Sequence, residues 1–348
     1  MINKRLNEFH RPIFNENRFR YKRNNKKILE NNITPKQVSE SLSCFMNSLL
    51  KCLYYIKELR EYLIEKKDYF TEAQPVCKIV SSIMYKLKFN AKHHFLPEEL
   101  QEIIGDKNNY IFGGRVGDSN CIFSSIIDSF LNELSINNIR KKDKPLRNYD
   151  LSNKKQIFKI LYNENDKNNI INQIFLGYYE TIYQCENNIL TNIYSIQNEY
   201  FISFNLEQIQ KFYNNQENIT ITQCFDYYCR KQSSFEFYCS KCDAIEKNDC
   251  YEKIYKPPLI LVIILNKGDV FDSIIVPEPF LDLSTYIDGK EYQNESNYKL
   301  ICYSSKYSAC CMTDSGYYYD SLTVAKSIRE SQIGIDEPFL LFYRRDNW

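Results

Sequence analysis

The sequence predicts an α+β fold, and three observations support that class. In the first half of the 348-residue chain, apolar residues recur at spacings of three and four, which is typical of amphipathic helices. After about residue 173, alternating and β-branched runs dominate, as in strands. No Gly- or Pro-rich linker divides the chain, so we expect one continuous domain with helical and sheet parts instead of alternating βαβ units.

The first predicted helix follows Cys44, in the run CFMNSLLKCLYYIKELREYLIEK. Its apolar stripe includes Phe45, Leu49 and Leu53, which are four residues apart. Ser43 is the expected N-cap, which would place Cys44 at the helix start, where the dipole and free backbone N–H groups favour a thiolate. Further helices are predicted at 72–89, 97–104, 118–134 and 153–162.

The second half of the chain contains the predicted strands, at 192–206, 252–265, 272–276, 298–303, 307–312, 316–319 and 338–344. Residues 1–36 carry ten Lys and Arg against three Glu. This arm is expected to be poorly ordered, and it is either a solvated lead-in or a segment that docks onto an acidic partner or RNA. Residues 37–348 are predicted to form a single domain.

Composition excludes several classes of protein. A net charge of +1 excludes a globally basic nucleic-acid binder, and 43% hydrophobic residues exclude a disordered chain. No run approaches the ~20 apolar residues of a membrane span, and the N-terminus lacks the apolar core of a signal peptide. An intracellular protein of the cytoplasm or nucleus is therefore expected, with its 13 cysteines mostly as buried thiols. Only three histidines are present, His10, His93 and His94.

A Cys-x-x-Cys pair, Cys239 and Cys242, offers two ligands of a tetrahedral zinc site, which needs four. Cys185 is a third candidate ligand, but no cysteine follows it three residues later. Cys224 or Cys229 could complete the set if the fold allows it. The sequence therefore predicts an incomplete structural zinc site at most.

Seven segments, in order, resemble the ubiquitin-specific protease family of deubiquitinases. SCFMNSLLKCL resembles the cysteine box T-C-[YF]-M-N-[SA]-x-L-Q-x-L, and SKYSA resembles the histidine box G-H-Y-x-A. GDSNCIFSSIID at 117–128 resembles the Q-D-A-x-E-F helix, and YCSKC followed by KPPLILVIIL resembles Y-x-C-x-x-C and the strand after it. PEPFLDLSTYI at 277–287, YYYDS and PFLLFY resemble the remaining palm segments. The similarity runs from about residue 38 to 345.

This resemblance implies a papain-like fold with a helical thumb at about 37–170, β fingers at about 171–250 and a β-sheet palm at about 251–348. It also implies ubiquitin or a ubiquitinated protein as partner, with the ubiquitin tail lying between thumb and palm and contacts at Asp118 and Tyr307. Cysteine chemistry of this kind requires no cofactor, although a structural zinc ion is a family feature.

The catalytic positions depart from the family pattern. Cys44 matches the nucleophile and Asp320 the acid that orients the catalytic histidine, but Lys306 stands at the histidine position. A lysine held charged by a neighbouring carboxylate cannot accept the thiol proton, so a Lys306–Asp320 pair would be structural. Ser39 replaces the asparagine that stabilises the oxyanion, a loss that typically costs ~2.7–4 kcal/mol in the transition state.

Three functional hypotheses follow. The first is a degenerate ubiquitin-specific protease that keeps the fold, has lost or impaired hydrolysis, and binds ubiquitin or serves as a scaffold, with the basic arm docking into a large assembly. The second is an active cysteine deubiquitinase that uses Cys44, with Lys306, a water molecule or a partner-supplied group in place of the imidazole, as the retention of Cys44 and Asp320 suggests. The third is an interaction module that does not bind ubiquitin. It is suggested by the change in the first zinc half-site and by Cys121, which stands where the family has a tail-binding Glu.

Overall fold

The structure is a computed structural model, and it describes residues 35–89, 98–107, 119–135, 153–165, 167–185, 192–239, 244–268, 271, 273–305, 308–314, 316–321, 325–329, 332–333 and 337–346. Within these ranges, helices dominate the first part of the chain and strands the second, so the mixed α+β class predicted from the sequence is confirmed.

The first helix, α1, spans Pro35–Tyr55 and is longer than the sequence predicted. Ser43 is therefore not an N-cap, and Cys44 is the tenth residue of the helix instead of a residue of its first turn. Two features explain the earlier start. Proline is well suited to the first helical position because its φ is already helical, and Val38 and Leu42 extend the helical spacing of apolar residues backwards from Phe45.

The other helices of the described residues are short and amphipathic. They are α2 (Lys57–Glu65), α3 (Pro75–Phe89), α4 (Glu98–Lys107), α5 (Ser119–Glu133), α6 (Lys154–Glu164), α7 (Ile170–Phe175), α8 (Leu206–Phe212) and α9 (Ile221–Cys229). Short 3₁₀ turns occur at Lys67–Tyr69, Ser284–Tyr286 and Lys290–Glu295. The four helices predicted at 72–89, 97–104, 118–134 and 153–162 correspond to α3, α4, α5 and α6.

The strands of the described residues form three sheets. They are β1 (Gly177–Cys185), β2 (Asn192–Glu199), β3 (Ile202–Asn205), β4 (Asn218–Thr220), β5 (Gln232–Cys239), β6 (Ala244–Lys256), β7 (Ile260–Asn266), β8 (Ile274–Val276), β9 (Phe280–Asp282), β10 (Asn297–Ser304), β11 (Ser308–Thr313), β12 (Gly316–Ser321), β13 (Ala325–Ile328) and β14 (Leu340–Arg345). A four-stranded antiparallel sheet has the order β2-β1-β6-β5. The large sheet has the order β13-β12-β11-β10-β14-β7-β3, with β9 paired to β10, and β4 pairs with β8.

The large sheet separates two hydrophobic cores. Strand β7 is apolar on both faces: Ile260, Val262 and Ile264 pack with the helices α1 to α5, whereas the alternate residues pack with α8 and α9 on the opposite face. Alternation of side chains along a strand produces this division. In the first core, the ring of Phe123 meets three other aromatic rings edge to face.

The four-stranded sheet buries two acidic side chains, Glu180 of β1 and Glu252 of β6. The carboxyl group of Glu180 in β1 is fully buried and accepts no hydrogen bond from any residue that the structure describes. Its nearest cation is the Lys154 ammonium at 3.8 Å, which also pairs with Asp288. Burial, offset in part by Lys154, raises the pKa of Glu180 to about 8, so this carboxyl group is protonated at neutral pH.

Across the described ranges, none of the helices combines the length and the apolar character that crossing a bilayer demands.

Candidate active site

One face of α1 carries the contacts that define the site. Cys44, Ser48 and Lys51 are four and three residues apart, so they lie on the same side of the helix over two turns. Ser48 and Lys51 are buried against β10, β11 and β12. The apolar side chains of the helix, among them Leu49 and Leu53, turn into the first core and fix its rotation.

Ser48 ties α1 to the end of β10. Its Oγ donates to the Phe45 carbonyl oxygen of its own helix at 2.8 Å. The same hydroxyl lies 2.7 Å from the Ser304 hydroxyl and 3.0 Å from the Ser305 carbonyl oxygen. Ser305 is the residue immediately before Lys306, and its backbone N–H donates to the Ser308 carbonyl oxygen at 2.9 Å. This hydroxyl network therefore holds the helix against the segment that carries the histidine position.

Lys51 forms a buried ion pair with Asp320. The Lys51 Nζ lies 2.5 Å from the Asp320 Oδ2, and the two side chains are only 8% and 10% exposed. Asp320 is in β12, opposite Ala309 of β11, so the pair closes the space between α1 and the sheet. A cavity of about 20 Å³ remains beside the pair, lined in part by Tyr55 and Cys311. Its volume suffices for about one water molecule.

The structure describes the side chains of some predicted catalytic residues but not of others. Asp320, predicted as the orienting acid, is buried where β12 faces α1. Cys44 and Ser39 lie in α1, but their side chains are outside the described residues. Four helical residues, a rise of about 6 Å, separate the backbone of Cys44 from Ser48, whose hydroxyl contacts Ser304 and Ser305.

The remaining predicted residues lie outside the described ranges. These are Lys306, Tyr307 and Asp118, together with the three histidines. The sequence predicts Lys306 as the structural partner of Asp320, whereas the cation on Asp320 in the described residues is Lys51. Lys51 reaches Asp320 because it follows Ser48 by three residues and so lies on the helix face that contacts the sheet.

Lys51 is the residue of the site that sequence analysis missed. A signal for it was present, because the cysteine box carries Gln seven residues after the nucleophile and this chain carries Lys51 there. A buried lysine needs an anionic partner, so this substitution could have directed attention to the retained Asp320. The two residues are 269 positions apart, and no local pattern connects them.

The register of the four-stranded sheet bears on the predicted zinc ligands. Cys185 pairs with Asn248 of β6, while Cys239 pairs with Ala244, two strands away from β1 and four residues further along. Two strand spacings and four residues place the two backbone positions about 16 Å apart. The side chains of Cys185 and Cys239 lie outside the described residues, so a shared zinc ion stays a prediction.

Cys224 and Cys229 are likewise remote from Cys239. Cys224 is buried in the core behind the large sheet, and Cys229 packs against the same core. Cys229 ends α9 just before β5, and Cys239 ends that strand, seven residues or about 23 Å beyond Gln232. The pair of Cys239 and Cys242 remains a predicted half-site, with both side chains outside the described residues.

Comparison with known structures supports the fold assignment. The Ubp8/Sgf11/Sus1/Sgf73 DUB module of SAGA bound to ubiquitin aldehyde superposes with a TM-score of 0.63 at 15% identity, over 88% of this chain and 68% of that one. The same module with a Cys-to-Ala Ubp8, bound to monoubiquitin, gives a TM-score of 0.64 at 16% identity, with 88% and 67% covered. A yeast SAGA DUB module gives a TM-score of 0.58 at 16% identity, with 88% and 67% covered.

The family itself is established by sequence. A family model described as ubiquitin carboxyl-terminal hydrolase matches residues 38–343, which is most of the chain. This range contains all but the first three residues of α1, all but the last two residues of β14 in the large sheet, and the Lys51–Asp320 pair. The papain-like fold with helical and sheet parts, inferred from seven motifs, agrees with the neighbouring structures. This chain is therefore a member of the ubiquitin carboxyl-terminal hydrolase family, in its ubiquitin-specific protease branch.

Proposed function

We propose that this chain is a catalytically impaired deubiquitinase that binds ubiquitin or serves as a scaffold in an assembly. The observation that carries the proposal is the buried ion pair between Lys51 and Asp320. In a Cys-His-Asp hydrolase the acid accepts a hydrogen bond from the imidazole and orients it. Here one carboxylate oxygen of the acid already accepts from an ammonium group that belongs to the nucleophile helix.

Two further features of α1 favour impaired hydrolysis. An interior helical N–H donates to the carbonyl oxygen four residues earlier, so the Cys44 N–H is occupied within α1 and is not free for an oxyanion. Ser39, at the asparagine position, also lies within this helix. With Lys306 at the histidine position, the general base and the oxyanion donors differ from an active site of this type, and the retained acid is engaged by Lys51.

The proposed partners rest on the neighbouring structures. Two of those Ubp8 modules are bound to ubiquitin aldehyde or to monoubiquitin, and Ubp8 is one of four proteins in the module. We carry both properties to this chain as a proposal: ubiquitin as ligand and a larger assembly as setting. The basic residues of 1–36 supply a charged segment for docking onto an acidic surface of such an assembly.

An active cysteine deubiquitinase is the second candidate, and one observation favours it. The Ser48 network holds α1 against Ser304 and Ser305, the residues that immediately precede the histidine position in the sequence. A proton acceptor supplied by water or a partner could then serve Cys44. An interaction module that does not bind ubiquitin is the third candidate.

The deciding experiment treats the purified chain with an electrophilic probe built on the ubiquitin C-terminus, and follows hydrolysis of a ubiquitin–fluorophore amide. The expected result is ubiquitin binding in calorimetry without turnover. Probe labelling that Cys44→Ala abolishes, together with turnover, would instead establish an active enzyme. Absence of both binding and turnover would leave only the interaction module.

A rescue series tests the specific role of Lys51. Lys306→His alone supplies an imidazole while Asp320 stays engaged by Lys51, so we expect no turnover. Lys306→His with Lys51→Gln restores the family residue and releases the carboxylate, and adding Ser39→Asn returns the oxyanion donor. Turnover should first appear in the double variant. Equal turnover with and without Lys51→Gln would contradict the role assigned to the ion pair.

A further inference from the structure

Three buried thiols meet directly beneath the candidate active site. Cys52 of α1, Cys302 of β10 and Cys311 of β11 place their Sγ atoms within 4.8 Å of one another. Cys302 and Cys311 are direct cross-strand partners, and the Cys302 thiol lies 3.5 Å from the Cys52 carbonyl oxygen. Cys52 and Cys302 are fully buried, and Cys311 is 3% exposed. Among the described residues, no other set of three His, Cys, Asp or Glu side chains converges in this way.

The arrangement is close to the geometry that a metal ion needs. Zinc binds thiolate sulfur at about 2.3 Å, so sulfurs around a tetrahedral ion lie about 3.8 Å apart. From a separation within 4.8 Å, each pair must close by about 1 Å or less, which a change of side-chain torsion supplies. The ligands come from one helix and two strands, so they converge from different directions.

Charge and space favour zinc over a monovalent ion. Three thiolates with Zn²⁺ leave one net negative charge in the core, whereas three thiolates with Cu⁺ leave two, and buried charge is costly. The cavity of about 20 Å³ is lined by Cys311 and adjoins the cluster, so a water molecule has room to serve as fourth ligand.

We propose that Cys52, Cys302 and Cys311 form a zinc site that fastens the nucleophile helix to the palm sheet. Zinc binding there replaces three S–H bonds by three Zn–S bonds and releases three protons to solvent. Because each thiol must lose its proton to bind zinc, occupancy should rise with pH.

The test uses the full chain with Cys239→Ser and Cys242→Ser, which removes the predicted half-site and leaves the core cluster intact. The protein is stripped with a chelator under reducing conditions, reloaded with Zn²⁺ and dialysed, and its metal content is measured by mass spectrometry. About one zinc ion per chain is expected, with release of about three protons per ion in weakly buffered solution. Well under one equivalent would overturn the proposal.

Matched variants locate the ion. Cys302→Ser should abolish zinc retention, whereas Cys310→Ser should leave it unchanged, because Cys310 is equally buried beside Cys311 but packs in the core on the opposite face of the sheet. Retention in Cys302→Ser would overturn the assignment. If that variant does not fold, proton release from the unsubstituted core decides, and release of fewer than about two protons would count against a three-thiolate site.

Two more measurements complete the design. Replacement of zinc by Co²⁺ should give thiolate-to-cobalt charge-transfer absorption that is lost with Cys302→Ser. X-ray absorption of the zinc-loaded protein should show sulfur neighbours at about 2.3 Å, and a shell of oxygen and nitrogen alone would overturn the assignment. None of these readouts depends on ubiquitin, so the outcome is independent of the proposed function.

Discussion

Replacing Lys51 by methionine should destabilise the protein more than any other single change at the site. Methionine keeps much of the side-chain volume but removes the ammonium, and Asp320 is then left as a buried carboxylate without its cation. Removing one partner of a buried pair typically costs about 3–5 kcal/mol. The adjoining cavity admits about one water molecule to Asp320, so we expect the lower end, about 3 kcal/mol.

This free energy corresponds to a measurable change in melting temperature. Unfolding entropy near 60 °C is about 2.1 cal/mol/K per residue, or roughly 0.7 kcal/mol/K for a chain of 348 residues. A loss of about 3 kcal/mol therefore lowers the Tm by about 4 °C. Differential scanning calorimetry at neutral pH gives the Tm directly, and urea titration gives the free energy of unfolding.

The double variant Lys51→Met with Asp320→Leu separates the ion pair from its surroundings. Two apolar side chains leave no uncompensated charge, so the double variant should be at least as stable as Lys51→Met alone. Lys78→Met is the matched control, since its partner Glu72 is 88% exposed, and its cost should stay within about 0.5 kcal/mol. Single costs that simply add in the double variant would refute a coupled, buried pair.

Three other outcomes can be measured in the same way. The pKa of Glu180 is about 8 in the folded protein and lower in the unfolded chain, so its contribution to stability is complete below about pH 4.5 and is lost as the pH rises through 8. Between pH 6 and 8, the free energy of unfolding of the wild type should fall by about 2 kcal/mol relative to Glu180→Gln. Urea midpoints that change in parallel for the two proteins would contradict this. Phe123→Ala should lower the free energy of unfolding by about 3–5 kcal/mol, because the ring is fully buried among three other aromatic rings. Phe89→Ala, at the exposed end of α3, should lower it by under about 1 kcal/mol. Similar losses of stability in calorimetry for the two variants would be inconsistent with that core. Ser48→Ala removes the hydroxyl between α1 and the end of β10 and should cost about 1–2 kcal/mol in urea titration, so an unchanged midpoint would count against the network.

Elements with a clear hydrophobic pattern can be predicted from the sequence. The continuous apolar run of β7 is typical of a strand covered on both faces, and the structure places it between two cores. By contrast, β1 reads GYYETIYQC, with aromatic and polar residues on both faces, so neither alternation nor a continuous apolar run identifies it. Its identity depends on pairing with β2 and β6, which is a tertiary property.

The sequence of α9 contains a helix-start signal, a capping box, that predicts this helix. Thr220 and Gln223 form a capping box, and Ile221, Cys224 and Phe225 follow at helical spacing. The start of α1 was misplaced for a different reason, because Ser43 is a good N-cap type while Pro35 is an equally good first residue. Local preference supports both, and the longer apolar stripe of α1 decides between them.

The sequence predicts which positions belong to the candidate site but not the contacts that they make. Motif order identified Cys44, Lys306 and Asp320 as the triad positions, and the family assignment that rests on those motifs is confirmed. The ion pair that involves Asp320 depends on packing of a helix against a strand 269 residues later, which no spacing rule anticipates. A motif therefore assigns residues to positions, whereas the contacts of a substituted residue such as Lys51 are known only from the structure.

The ion pair between Lys51 and Asp320 also constrains the evolution of this chain. Because the charge of Lys51 balances that of a buried carboxylate, changing either residue alone exposes the protein to a loss of stability before any catalytic benefit can arise. A histidine gained at position 306 meets an acid that is already engaged. Under the proposed function, recovery of the triad requires at least two substitutions whose effects depend on each other, so the path back to hydrolysis crosses a less stable intermediate.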